Sequence, residues 1–398
     1  MRAAGPPRRY LDAPRRHAGP RENAVPHLPI ESFTATTALV EGRELAFFGG
    51  CNYLGLAHHP AVRAAVAASL ATTGLTTTAS RETTGNTVGH DALERELAAF
   101  CGLGACTLLC EGYTANIALM AGLAPTHGVA LVDAKAHRSL AHAAKAAGLL
   151  VLYYDHLDAR QAIGLAREHA AEGVAILTDS VFAANGGVAP LPELLAGLPG
   201  GGTLVVDDCH GLCVLGRSGR GALDHFGLRD ERIVVTTTLA KGLGCYGGAV
   251  MGTPERIADV RRHANIYLGT TPTPPPLVAG ARAALCVLAE SDALVVRLRA
   301  NIDRVRGVLV GLSLPLPPPG VPILPFVLSP VERMERASQS LWNDGVLVPL
   351  IDYPGGPGLR YFRICVNAEH TPGQIDALGA ALRRALSGEP AEARAATA

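Results

Sequence analysis

Lysine is scarce in this chain. Of 35 basic residues only three, Lys135, Lys145 and Lys241, are lysines. A charge imbalance is missing too: 35 acidic residues offset the basic ones, for a formal net charge of zero. No electrostatic preference for nucleic acid or an anionic membrane is therefore built into the composition. No apolar run reaches the roughly 18 residues that a bilayer-spanning helix needs. No CxxC pair occurs among the nine cysteines, and the Cys106/Cys110 and Cys209/Cys213 spacings do not match a zinc site. The odd cysteine count, with no secretory hydrophobic region, predicts free thiols in a reducing cytoplasm. Internal repeats are also absent.

What is present suits a folded enzyme. The 398 residues are 48% hydrophobic and 18% charged, enough for a large core and more than one domain. Residues 1–46 read as an N-terminal arm, partly disordered, because 1–28 are rich in Arg and Pro. Those prolines fit poorly with the amphipathic helix of a transit peptide. A large domain is expected over 47–276, a smaller C-terminal α+β domain over 277–387, and a low-complexity tail over 388–398. Seven short apolar segments are candidate strands: 106–110, 128–134, 148–154, 173–180, 202–208, 232–238 and 248–252. They are apolar throughout rather than alternating, as in strands buried on both faces. Helical stretches between them, such as 90–100, 114–123 and 160–171, complete a βαβ rhythm. The predicted fold class is α/β, with a large, mainly parallel sheet.

In such a sheet, ligands bind beyond the carboxyl ends of the strands. The polar residues that follow the strands are Glu111-Gly112-Tyr113, Lys135-Ala136-His137, Asp207-Asp208-Cys209-His210, and Thr236-Thr237-Thr238 leading to Lys241. Lys241 lies in TTTLAKGLGCYGGAV, where Thr, Gly and apolar residues predict burial. A buried ammonium is costly unless it is paired or used chemically. An amine, a carboxylate, imidazoles, hydroxyls and a glycine turn together suit pyridoxal phosphate (PLP). That cofactor needs a lysine for a Schiff base, its pKa lowered by desolvation. It also needs an anion beside its pyridine nitrogen, and N–H groups at a helix start for its phosphate. Each residue also has a structural reading: a snorkelling lysine, a turn-capping aspartate, core histidines, a solvated arginine.

The ordered motifs NYLGL (52–56), TGNTVGHDALE (84–94), EGYTAN (111–116), DAKAHRSL (133–140), DDCHGLCVLGRSGRG (207–221), TTLAKG (237–242) and FRICVNAEH (362–370) resemble the α-oxoamine synthases. These are fold-type I PLP enzymes, and the resemblance runs from about Phe47 to Leu386. It implies condensation of an amino acid with an acyl thioester, on CoA or an acyl-carrier protein, usually with decarboxylation, to give an α-amino ketone. It implies Lys241 as the Schiff-base lysine and proton carrier, Asp207 at the pyridinium nitrogen, His210 near the phenolic oxygen and His137 stacked on the ring. Gly112, Tyr113 and Thr238 are implied on the phosphate side. Thr271 is expected to reach the cofactor of a second subunit in a homodimer with shared active sites. Arg363 is expected to hold the amino acid's carboxylate, with Asn52 also at the substrate, and Arg81 is a further candidate for a substrate anion.

The sequence departs from the family pattern at three places. Ala183 stands where a serine is usual, Cys51 where an asparagine is usual, and Glu111 where a serine or threonine is usual. Another fold-type I reaction, such as an aminotransferase, aldol-type lyase or decarboxylase, stays open on these residues, as does a non-catalytic protein of the same fold.

Overall fold

A computed structural model describes residues 29–387. The Arg-rich segment 1–28 and the tail 388–398 lie outside the described residues. The remainder of the expected arm is built into sheet. β1 (Ser32–Phe33), β2 (Thr37–Val40) and β3 (Arg43–Phe47) form an antiparallel ribbon. Its β2–β3 turn puts Glu41 and Gly42 both at positive φ, 50° and 68°, the left-handed pair that a two-residue hairpin turn requires.

All seven candidate strands form: β4 (Ala105–Leu109), β5 (Val129–Asp133), β6 (Leu150–Tyr154), β7 (Val174–Asp179), β8 (Thr203–Asp207), β9 (Ile233–Thr238) and β10 (Gly248–Gly252). They make one sheet in the order β4-β10-β9-β8-β7-β5-β6. β5 to β9 run parallel, and β10 is antiparallel to both β9 and β4. The reversal has a simple cause. Only residues 239–247 separate β9 from β10, too few for the crossover that a parallel return needs.

Alternate residues of each strand supply two cores. Val129 and Leu131 pack on one side, with Ala162 and Ala166 of the helix Ala159–Glu168. Ala130 and Val132 pack on the other. That second core contains α3 (Gly112–Leu123), α4 (Arg138–Ala146) and the helix Pro254–His263. Each fully buried Val or Leu contributes about 1.5–3 kcal/mol, which is why these strands are apolar throughout. α3 comes so close to Pro254–His263 that a Cβ on Gly122 would meet Val260 Cα at 2.9 Å.

The chain then forms β11 (Ile323–Phe326), β12 (Val346–Leu347), β13 (Leu350–Ile351) and β14 (Tyr361–Cys365). β11-β14-β13 is a small antiparallel sheet, and β12 joins the N-terminal ribbon in parallel with β3. The helix Pro275–Glu290 spans the expected domain boundary at 277 and packs against α1 (Pro60–Thr73) and α2 (Val88–Cys101). Among the described residues, no helix is long and apolar enough to cross a membrane.

Candidate active site

The carboxyl ends of β7, β8 and β9 open on a cavity of about 180 Å³. Gly112, Tyr113, His137, Asp207, His210, Thr238 and Lys241 all line it, together with Asp179 and Ala183. Lys241 sits on the turn between β9 and β10. That turn is fixed by Leu239 N–H donating to the Gly247 carbonyl at 2.9 Å and Cys245 N–H to the Leu239 carbonyl at 2.8 Å. Gly244 has φ 65°, and a Cβ there would strike Ala57 N at 2.2 Å. Lys241 Nζ lies 2.8 Å from His210 Nε2. His210 Nδ1 lies 2.6 Å from the Tyr53 hydroxyl.

The lysine's electrostatics differ from the expectation. Burial alone would lower its pKa, as the sequence reading assumed. The facing Cys209, Cys51, Asp207 and Asp179 groups outweigh burial and hold it above the ordinary lysine value. The imidazoles move the other way. Burial, then the Lys241 charge, holds His210 well below the ordinary histidine range, and burial also lowers His137. His210 is thus a neutral ring, able to accept from the lysine.

Asp207 ends β8 and is buried. Its Oδ2 accepts from Asn116 Nδ2 at 2.9 Å and its Oδ1 from Cys209 N–H at 3.1 Å. Asn116 is itself held, because its Oδ1 accepts from Thr236 Oγ1 at 2.6 Å. His137 caps α4. Its N–H donates to both Asp179 oxygens at 3.1 Å, and its Nδ1 lies 2.7 Å from Ser139 Oγ. Asp179 is buried beside Asp207, and burial, then Asp207, raises its pKa well above the usual carboxylate range.

Gly112 opens α3 at the cavity wall. A Cβ there would meet Thr238 Cβ at 2.9 Å and Cys209 Sγ at 3.4 Å, so only glycine allows this approach. Glu111 also lines the cavity and is tied to Thr114, whose Oγ1 accepts from Glu111 N–H at 3.1 Å. Tyr113 OH lies 2.8 Å from His142 Nδ1. The Thr238 hydroxyl donates to the Gly247 carbonyl at 3.1 Å and accepts from Ala240 N–H at 3.2 Å.

Three expected residues do not line the cavity. Thr271 is exposed, and its carbonyl accepts from the Cys110 thiol at 3.0 Å. The Asn52 side chain serves its own turn, its Oδ1 accepting from Ala57 N–H at 3.3 Å. Arg363, on β14, reaches toward the Ala183 carbonyl, 3.4 Å from its Nη1. Among the described residues Arg363 has no carboxylate partner, and its Nε has no hydrogen bond. Arg81 is corrected outright. It is buried, bonded to Glu94, Asp91 and Asn86, and set over the Tyr267 ring, so its donors are used within the fold.

Sequence reasoning missed Tyr53, Asn116 and Asp179 as functional residues. The first two lie inside quoted motifs, NYLGL and EGYTAN, and the third is next to last in a predicted strand, 173–180. It also missed an outer cavity of about 650 Å³, which shares Tyr113, His137, Asp179 and Ala183 with the inner one. Lys135, Arg138, His142 and Lys145 line it, so every lysine of the chain borders one of these two adjoining spaces.

The chemistry of the donor set fits PLP: a buried amine, a carboxylate held in place by Asn116, an imidazole in the same cavity wall, and a glycine-opened helix start. Residues 48–382 match the family described as aminotransferase class I and II, and the chain belongs to that family. It has the fold-type I architecture and uses PLP. Within the family it falls among the α-oxoamine synthases, C-acyltransferases that condense an amino acid with an acyl thioester and release carbon dioxide. It is 36% identical over 363 residues to the 8-amino-7-oxononanoate synthase of Methylococcus capsulatus, covering 90% of this chain and 94% of that one. It is 34% identical over 366 residues to the same-named enzyme of Thioalkalivibrio sulfidiphilus, covering 90% and 93%. The serine palmitoyltransferase of Sphingomonas wittichii superposes with a TM-score of 0.85 at 25% identity, over 91% of this chain and 92% of that one.

Proposed function

We propose that Lys241 is the residue that binds PLP, and that Asp207, His137, His210, Gly112, Tyr113 and Thr238 hold the cofactor around it. The observation that carries this reading is the Lys241–His210 contact in the wall of a cavity that Asp207 also lines. Bound through Lys241, the cofactor supplies an electron sink for a carbanion at the amino acid's Cα. Asp207, kept in one orientation by Asn116 and Cys209 N–H, holds a proton at the ring nitrogen. His137, in the same cavity wall, would pack against the ring. Neutral His210 orients the lysine amine, which moves the proton at Cα.

Arg363 takes the amino acid's carboxylate. Its fork has no carboxylate partner within the described chain, and planar recognition of this kind suits guanidinium. The acyl donor reaches the inner cavity through the outer one. The exposed Lys135, Arg138 and Lys145 there suit the phosphates that both CoA and a carrier protein's prosthetic arm present. The product is an α-amino ketone.

A second copy of the chain completes the site. Leu75 is 75% exposed and Val88 88%. Val88 is two residues from His90, whose Nε2 lies 2.8 Å from the Thr273 carbonyl, next to Thr271. A homodimer covers these apolar groups and brings Thr271 to the partner's cofactor. All nine cysteines are free thiols, which accords with a reducing cytoplasm.

The test is the visible absorption spectrum of the purified protein with PLP, followed by amino acid titration and then by thioester addition. A lysine-bound band that shifts with one amino acid, and a new carbon–carbon bond with one thioester, are expected. Lys241→Ala should keep its fold and lose the reducible band. A band that survives in Lys241→Ala would refute the lysine assignment.

A further inference from the structure

One cluster of nucleophilic side chains adjoins the site without a role in the chemistry above. Residues 48–53 run beside β14. Cys365 N–H donates to the Phe48 carbonyl at 2.8 Å, and Ala368 N–H to the Tyr53 carbonyl at 2.8 Å. Between these anchors Gly50 turns the chain at φ 72°, and Cys51 follows. Alternate residues of a strand share a face. Arg363 and Cys365 therefore project to one side of β14, and the buried Phe362 and Ile364 to the other. Cys51 lies over the first face. Its Sγ is 4.0 Å from Arg363 Nη2, on the face of β14 that Cys365 shares.

The two sulfurs differ in state. A hydrogen bond from Cys365, then the Arg363 and Lys241 charges, lowers the Cys51 pKa to about 5 despite burial. Cys365 is pushed well above the ordinary thiol value and keeps its proton. Buried Cys106, Cys209 and Cys213 are likewise held protonated, chiefly by burial. A half-buried thiolate with a thiol beside it is the arrangement that reacts with oxidants, whereas buried neutral thiols are inert.

We propose that Cys51 and Cys365 form an oxidation site that closes as a reversible disulfide and thereby strengthens carboxylate binding at Arg363. The oxidant is a hydroperoxide. Cys51 sulfur attacks the terminal oxygen, the O–O bond breaks, and the alcohol leaves, giving a sulfenic acid. Cys365 sulfur then attacks Cys51 sulfur, the S–O bond breaks, and the oxygen leaves as water with the Cys365 proton. In total, two thiols and one hydroperoxide yield a disulfide, an alcohol and water. The thiolate near Arg363 competes with any carboxylate, and the disulfide removes that negative charge. This consequence rests on the substrate role of Arg363 proposed above; the disulfide itself does not.

The test uses the full chain, PLP-loaded and reduced, exposed to stoichiometric hydrogen peroxide and then to N-ethylmaleimide. Peptide mass mapping should find the Cys51 and Cys365 peptides joined, about 2 Da lighter than the two thiols together, and separated again by dithiothreitol. The amino acid's Kd, read from the visible spectrum, should fall about tenfold on oxidation, the effect of removing one like charge at this range, and recover on reduction. Cys365→Ser should show neither change. Both cysteines alkylated after peroxide, or Cys51 over-oxidised without a cross-link, overturns the proposal. A cross-linked protein with unchanged or weaker binding overturns the coupling to Arg363. A spectrum that no amino acid moves in either state counts against the reading of the site, and the mass map still decides the disulfide.

Discussion

Lys241 Nζ and His210 Nε2 face each other at 2.8 Å, and the other ring nitrogen of His210 lies 2.6 Å from the Tyr53 hydroxyl. A neutral imidazole has one accepting nitrogen and one N–H. If the ammonium donates to Nε2, the proton on the ring sits at Nδ1 and points at the Tyr53 oxygen. One tyrosine in the NYLGL motif thus fixes the tautomer of the residue that orients the lysine.

Tyr53→Phe should therefore keep PLP and slow turnover by about two- to tenfold, since a buried hydrogen bond of this kind is worth about 0.5–1.5 kcal/mol. The phenyl ring fills the same core volume, so Tm should move by only a few degrees. Turnover number, the lysine-bound absorption band and a thermal melt check this together. Turnover equal to the parent protein would show that Tyr53 does not set the His210 tautomer.

Asn116 holds Asp207 Oδ2 at 2.9 Å and is held by Thr236 at 2.6 Å. Asn116→Ala leaves a buried carboxylate oxygen without its donor, at a cost of about 1–3 kcal/mol. The expected outcome is PLP affinity weaker by about tenfold or more, measured by equilibrium dialysis. Asn116→Asp should be worse, because it sets a second carboxylate against Asp207. A variant that retains parental PLP affinity would remove Asn116 from the account.

Much of this was legible before any coordinates. The seven strands are short runs apolar on both faces, and continuous burial leaves that signature in sequence. The reversal of β10 was also there to be read, in the nine residues that separate it from β9. Lys241, Asp207, His137 and His210 stood out because strand ends collect ligands. Their partners were harder. Tyr53 meets His210 across 157 positions and Asn116 meets Asp207 across 91, and such contacts leave no periodic trace. Arg81, in ASRETTGN, was a further candidate for a substrate anion. Only the fold shows Glu94, thirteen positions on, at its guanidinium. The direction of the Lys241 shift depends on four facing groups drawn from three segments, which composition cannot rank against burial.

Arg363→Lys tests the carboxylate site without removing charge. A guanidinium fork binds a carboxylate bidentately, whereas an ammonium binds as a point charge. KM for the amino acid should rise about tenfold or more, with the PLP band unchanged and the turnover number at saturation reduced less than KM is raised. Steady-state kinetics with the amino acid varied separates the two. An unchanged KM would place the substrate carboxylate elsewhere.

The fold should also lose stability in mild acid through two histidines that line neither cavity. His127 is buried, with Nε2 3.0 Å from Thr203 Oγ1. His370 is buried, stacked on Phe48 at 4.2 Å, with Nε2 3.0 Å from the Phe47 carbonyl. Burial, joined at His127 by the Arg256 charge, lowers both pKa values to about 4. The unfolded chain titrates near 6.5, so between these values it binds protons that the native state refuses. Stability must then fall as pH drops from about 6.5 toward 4, by about 2 kcal/mol per histidine at pH 5. Asp208 opposes this, because burial raises its pKa to about 7 and its protonation favours the native state over the same window. Urea midpoints at pH 7 and pH 5 isolate each contribution. His370→Gln should be less stable than the parent at pH 7 yet lose less on acidification, and His127→Gln should behave alike. Equal losses in parent and variants would mean that these imidazoles are already protonated, or exposed, in the native state.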